Sequence, residues 1–217
     1  MIAIEGIDGA GKTTQAHHVQ NALQARKLPV LRCKEPTTGK WGQILRDSAL
    51  TGRLSLEDEV ETFIKDRQEH VQAVLLPALR EGKVVIVDRY YFSNMAYQGA
   101  RGFDPLEIQR RNEAFAPEPD LLILMDIEPD AGLLRIHKRG DRANLFESTN
   151  ALHKAREIFL NIRKPYLYTI DASLEVSAIC RQIVDEFTQR MMERIVPLIS
   201  DPQAALDATL KLHGKVS

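Results

Sequence analysis

Several familiar features are missing from this chain. Only two cysteines, Cys33 and Cys180, occur in 217 residues. Two distant cysteines supply neither a disulfide framework nor the spacing of a zinc site, so they are read as reduced thiols of a cytoplasmic protein. Long apolar runs are absent too. Residues 84–87 and 121–125 are among the longest uninterrupted stretches, far below the ~20 residues that cross a bilayer. No basic-then-apolar leader opens the chain, since Glu5 and Asp8 arrive at once. No membrane partner is therefore expected. An excess of one charge is also lacking: 29 Lys+Arg face 30 Asp+Glu. Without a broad basic field, binding to nucleic acid is not expected, and any polyanion must be met by a local pocket. What remains is 44% apolar and 27% charged, the balance of a folded globular chain that buries a core.

The apolar pattern alternates short strands with amphipathic helices. Strands are read at 2–6, 29–34, 83–87, 120–126 and, more weakly, 166–170. The runs at 83–87 and 120–126 are uninterrupted, which suits strands buried on both faces. A helix is expected over 13–26, with Val19 and Leu23 on one face. Ser55 before the acidic turn Glu57-Asp58 starts another, which runs to about Arg80 with Gly82 beyond it. A last helix covers about 174–194 and is ended by Pro197, which leaves 196–217 as an appendage to a domain spanning 1–195. Strand–helix repetition of this kind argues a parallel sheet with helices on both faces.

The first strand runs into Gly6-Ile7-Asp8-Gly9-Ala10-Gly11-Lys12-Thr13, which fits G-x-x-x-x-G-K-[ST] at every fixed position. The motif sits between a strand and a helix, the context it requires. Its glycines let backbone N–H groups turn inward on phosphate oxygens, and the helix N-terminus adds positive potential. Lys12 reaches the outer phosphates of ATP, the Thr13 hydroxyl ligates Mg²⁺, and Thr14 continues the cradle. No Asn/Thr-Lys-x-Asp run is present to read guanine, and no apolar strand ends in Asp-Glu. Instead the third strand ends in Asp88-Arg89-Tyr90. A carboxylate there faces the metal, and an arginine beside it faces the ligand crevice.

These pieces, taken in order, resemble thymidylate kinase, a family that phosphorylates dTMP with ATP. The resemblance covers 2–186. It rests on Glu5 to Gln15, Glu35-Pro36, Phe63 with Asp66-Arg67 and His70, Asp88-Arg89-Tyr90, and Ser93-Asn94 with Tyr97-Gln98-Gly99. Asp171-Ala172 stands near where the family holds adenine. The spacing of Phe63 and Arg67 puts a ring and a guanidinium on one helix face. Arginine is only a donor, so it bonds O4 of thymine or uracil and meets the amino group of cytosine badly. The family uses its matching residues in this way. By the same resemblance Asp8 accepts the sugar 3′-hydroxyl, Arg89 holds the acceptor phosphate, Asn94 and Tyr97 crowd the 2′ side of the sugar, and Gln98 and Pro36 complete the acceptor pocket.

Some members of the family carry a catalytic arginine within the phosphate loop; others supply that charge from a lid. Ala10 offers no such group here. The basic segment 135–142, in a lid at about 135–148, then provides it, with Arg135 and Arg139 sharing a face at i and i+4. Two departures stand out: Thr37-Thr38 replaces the family's glycine pair, and Asn144 and Leu145 fall within a lid stretch that reads differently elsewhere. The expectation is a three-layer P-loop α/β sandwich with five parallel strands, ordered 2-3-1-4-5 by analogy, acting as a homodimer. The expected reaction is Mg²⁺-dependent transfer from ATP to dTMP. A related kinase acting on dUMP, another deoxynucleotide or a deoxynucleoside is the alternative, and a nucleotide-binding module without turnover is the second.

Overall fold

The computed structural model describes residues 1–138 and 149–200, without the side chains of 196–200. Five strands form one sheet: β1 (Ile2–Glu5), β2 (Val30–Lys34), β3 (Val84–Asp88), β4 (Leu121–Asp126) and β5 (Leu167–Asp171). All neighbours are parallel, in the order β2-β3-β1-β4-β5, as the resemblance implied. The uninterrupted apolar runs have the expected cause. Ile2 to Ile4, Val85 to Val87 and Leu121 to Met125 are all buried, because helices cover both faces of the central strands.

Helix α1 (Lys12–Ala25) follows β1 and buries Val19 and Leu23. Then come α2 (Lys40–Thr51) and α3 (Leu56–His70), the latter capped by Ser55, whose hydroxyl accepts from the Asp58 N–H. The expected single helix to Arg80 is interrupted. A π-helical turn (Val71–Leu75) separates α3 from α4 (Leu76–Arg80). Pro77 explains the break. It has no N–H to offer one turn back, and the wider turn lets the Leu76 N–H reach the Val71 carbonyl instead. Four helices complete the compact unit Met1–Cys180: α5 (Tyr91–Gly99), α6 (Pro105–Glu113), α7 (Pro129–Lys138) and α8 (Thr149–Leu160). The last helix, α9 (Val176–Ser200), runs past Pro197, contrary to the expected stop. A proline inside a helix forfeits one hydrogen bond but does not oblige the chain to unwind. From Arg181 onward the chain forms a second unit, whose described part is the rest of α9.

The sheet positions the site. Ile4 pairs with Asp88 across β1 and β3, so the loop after β1 and the turn after β3 leave the carboxyl edge side by side. In open parallel sheets this edge is where ligands bind.

Candidate active site

The loop between β1 and α1 is tight because glycine alone fits it. Gly6 and Gly9 have φ of +140° and +84°, and a Cβ on Gly9 would stand 2.2 Å from the Gly132 carbonyl oxygen. Side chains rarely adopt such backbone angles, and none would clear α7. Lys12 is buried, and its Nζ donates to the Ile7 carbonyl at 2.7 Å. Burial and the Arg89 charge push its pKa down to about 8.

Arg89 sits in the turn after β3 with φ of +70°, a backbone state that costs a non-glycine residue about 1–3 kcal/mol unless its surroundings hold it. They do. The Arg89 N–H donates to the Ile4 carbonyl at 3.0 Å. The Glu5 carboxyl accepts from the backbone N–H groups of Tyr90 at 2.7 Å and Ser93 at 3.0 Å, and from the Ser93 hydroxyl. Glu5 thus clamps the turn that aims Arg89. It is fully buried, which raises its pKa to about 7. The Arg89 guanidinium pairs with Asp8 and lies over the Tyr97 ring. Tyr97 also donates its hydroxyl to Asp8 at 2.9 Å. Burial pushes the Asp8 carboxyl up, but Arg89 and Lys12 outweigh it and hold it at about 2.

Two clefts flank the phosphate loop. The first, about 190 Å³, is lined by Pro36, Phe63 and Arg67 together with Asp8, Arg89 and Tyr97. The second, about 410 Å³, is walled by Gly9 to Gly11, Thr14, Arg135 and the Ala172–Val176 stretch. Asp8 faces one cleft and its loop neighbours face the other, so the loop is the partition between them. Arg135 donates to the Ala172 carbonyl at 2.8 Å.

Arg67 is buried more completely than a stacking-edge residue would suggest, at 1% exposure. Its Nε and a terminal nitrogen contact Glu35 at 2.8 and 2.6 Å, and its other terminal nitrogen donates to Asn112 at 2.6 Å. Glu35 also meets His70 Nδ1 at 2.9 Å. Phe63, one turn before, is half-buried and lines the same cleft. The departure at Thr37 is explained locally: its N–H and hydroxyl donate to Asp66 at 2.8 and 2.6 Å, a role glycine could fill only by half.

The thymidylate kinase family model matches residues 4–183. A thymidylate kinase of Xanthomonas campestris pv. campestris (strain B100) is 50% identical over 182 residues, 84% of this chain and 80% of that protein. One from Akkermansia muciniphila is 44% identical over 195 residues, 90% of this chain and 94% of that protein. The chain belongs to the thymidylate kinase family.

Within that family frame, the structure adds residues that spacing alone did not single out. Glu5, Glu35 and Asn112 touch Arg89's turn or Arg67 directly. Glu59, also fully buried, pairs with Arg53 and Arg101 and accepts from Gln98 Nε2 at 2.6 Å. Gln98 is itself buried, and its carbonyl oxygen accepts from Asn94 Nδ2 at 3.1 Å. Only the Glu5 and Glu35 positions had a signal, through the Glu-Gly and Glu-Pro dipeptides. A hard divalent cation fits one corner. The Thr13 hydroxyl donates to Asp88 Oδ2, while Asp88 Oδ1 is buried with no partner among the described residues. A threonine hydroxyl and one carboxylate are the sparse oxygen set that Mg²⁺ takes beside nucleotide phosphates. Arg139 and the expected lid beyond it lie outside the described residues, and 135–138 form the end of α7. Cys33 and Cys180 carry no disulfide. Among the described residues, no helix is long and apolar enough to cross a membrane.

Proposed function

We propose that this chain phosphorylates dTMP with ATP in a single in-line transfer. One observation carries the reading: the phosphate loop separates two clefts, one lined by Phe63 and Arg67 with Asp8 and Arg89, the other lined by the loop itself. dTMP occupies the first cleft. Its ring stacks on Phe63, and O4 accepts from Arg67. Its 3′-hydroxyl donates to Asp8, whose low pKa keeps it an acceptor, and Tyr97 crowds the 2′ side. Arg89 holds the acceptor phosphate by charge-assisted bonds. The triphosphate of ATP lies on the N–H groups of residues 6–14, with adenine toward Ala172.

Lys12 exchanges the Ile7 carbonyl for phosphate oxygens, and Arg89, Arg135 and Arg139 supply further positive charge as the γ-phosphoryl group moves. Thr13 and Asp88 would hold Mg²⁺, which would supply charge neutralisation beside the outer phosphates. The acceptor oxygen displaces ADP, and the chain itself forms no covalent bond. We further propose a cytoplasmic homodimer with 1–195 as the catalytic domain.

The test is direct: ATP, Mg²⁺ and dTMP are mixed with the protein and the products separated by mass. Equal amounts of ADP and dTDP are expected. ADP release that does not depend on dTMP would mean the acceptor has been misread.

A further inference from the structure

We propose that Glu59 sets the hydrogen-bond polarity of the base pocket, acting through Gln98 on Asn94, so that the pocket selects a ring N–H over a ring nitrogen lone pair. The inference rests on the reading that the first cleft takes a pyrimidine base.

The relay begins at Glu59. Its carboxylate is fully buried and surrounded by donors. Oε1 receives Arg53 at 2.9 Å and Gln98 Nε2 at 2.6 Å. Oε2 receives Arg53 Nε at 3.0 Å and Arg101 at 2.6 Å. A carboxylate between two arginines only accepts, so Gln98 must turn its NH₂ toward it. The Gln98 oxygen then faces Asn94 and takes its NH₂ at 3.1 Å. Asn94 is left with its oxygen uncommitted, and Asn94 Oδ1 is indeed buried without a partner among the described residues, on a side chain that lines the same cleft as Phe63 and Arg67. Two amides that could each point either way are fixed by one charge.

The consequence is chemical. Thymine and uracil present a ring N–H flanked by carbonyls; cytosine presents a lone pair beside an amino group. An acceptor at Asn94 beside a donor at Arg67 matches the first pattern and opposes the second. This places Asn94 against the base instead of the sugar, with Glu59 and Gln98 as positioning residues behind it. A pocket with its polar groups left unpaired rejects the wrong base strongly.

Glu59→Gln should reverse the relay. An amide nitrogen at the Oε2 position would oppose two arginine donors, whereas at Oε1 it opposes one. The nitrogen therefore turns toward Gln98, Gln98 flips, and Asn94 presents its NH₂ to the base. The experiment measures kcat/KM for dTMP and dCMP in the wild type, Glu59→Gln and Gln98→Leu, with thermal unfolding of each. The Gln98→Leu variant keeps the Glu59 ion pairs and frees Asn94 to turn.

In Glu59→Gln, kcat/KM for dTMP should fall at least tenfold while that for dCMP rises above the wild-type value. A merely loosened structure would lower both. In Gln98→Leu the dTMP/dCMP ratio should also fall at least tenfold. Ratios within twofold of wild type in the folded variants overturn the relay; if Glu59→Gln does not fold, Gln98→Leu decides alone. A lower ratio in Gln98→Leu with an unchanged ratio in folded Glu59→Gln overturns the role of Glu59. A wild type that shows no preference for dTMP would instead overturn the base-pocket reading beneath it.

Discussion

Glu35→Leu removes the carboxylate that holds Arg67 and His70 together, at a position 2% exposed to solvent. Arg67, at 1% exposure, has Glu35 as its ion-pair partner, with Asn112 and the Tyr90 ring as its other contacts. A neutral amide oxygen and a ring face do not balance a buried guanidinium. Breaking such a pair from one side costs about 3–5 kcal/mol, because the remaining charge stays desolvated. For a chain of this length that is a melting-temperature loss of roughly 6–20 °C. Replacing both partners, as Glu35→Leu with Arg67→Leu, removes the stranded charge and should restore much of that loss. Turnover of dTMP should not return with it, since the proposed O4 donor is gone. Urea unfolding of the two single variants and the double variant forms a cycle. A cost below about 1 kcal/mol for Glu35→Leu, or costs that simply add in the double variant, would refute the argument that Arg67 is held by this pair.

Lys12→Ala should lower kcat by orders of magnitude and leave thermal unfolding nearly unchanged, as steady-state rates and calorimetry would show. Arg139→Ala should lower kcat by about 10²- to 10³-fold, as for a lost transition-state donor, with far less effect on ATP affinity; kcat within twofold for both Arg135→Ala and Arg139→Ala would place the charge elsewhere. Glu5 links stability to pH. Its folded pKa of about 7 lies above the ordinary 4.5, so its contribution is full below about 4.5 and lost as pH rises through about 7. Glu5→Gln keeps an oxygen for the Tyr90 and Ser93 N–H groups and offers a donor to the Ser93 hydroxyl, so its urea midpoint should vary less between pH 5 and 8 and exceed the wild type at pH 8.

The parts of this protein legible from its sequence are those written in neighbouring residues. The phosphate loop is contiguous, the strand pattern follows from burial on both faces, and Ser55 caps its helix within three residues. The pairing of Phe63 with Arg67 followed from helix spacing. What was not legible depends on contacts between distant positions. Glu35 lies 32 residues from Arg67, Glu59 lies 39 from Gln98, and Glu5 lies 88 from Ser93. Nothing in local spacing says which buried acid a given polar group will meet. The two misjudged helix features both involve proline. At Pro77 the chain made a π turn, and at Pro197 the helix continued; the local preference was real in each case but did not end the helix.

The first cleft and the phosphate loop are proposed to serve one reaction, and a panel of acceptors decides it. dTMP, dUMP, dCMP, dGMP and thymidine are each offered with ATP and Mg²⁺, and ADP release is followed by a coupled assay. The highest kcat/KM is expected for dTMP, with measurable turnover of dUMP, which shares the oxo and N–H pattern, and at least a hundredfold less for dCMP. Thymidine, lacking the phosphate proposed for Arg89, should not turn over. Preference for dCMP, dGMP or thymidine, or ATP binding with no acceptor turned over at all, would contradict it.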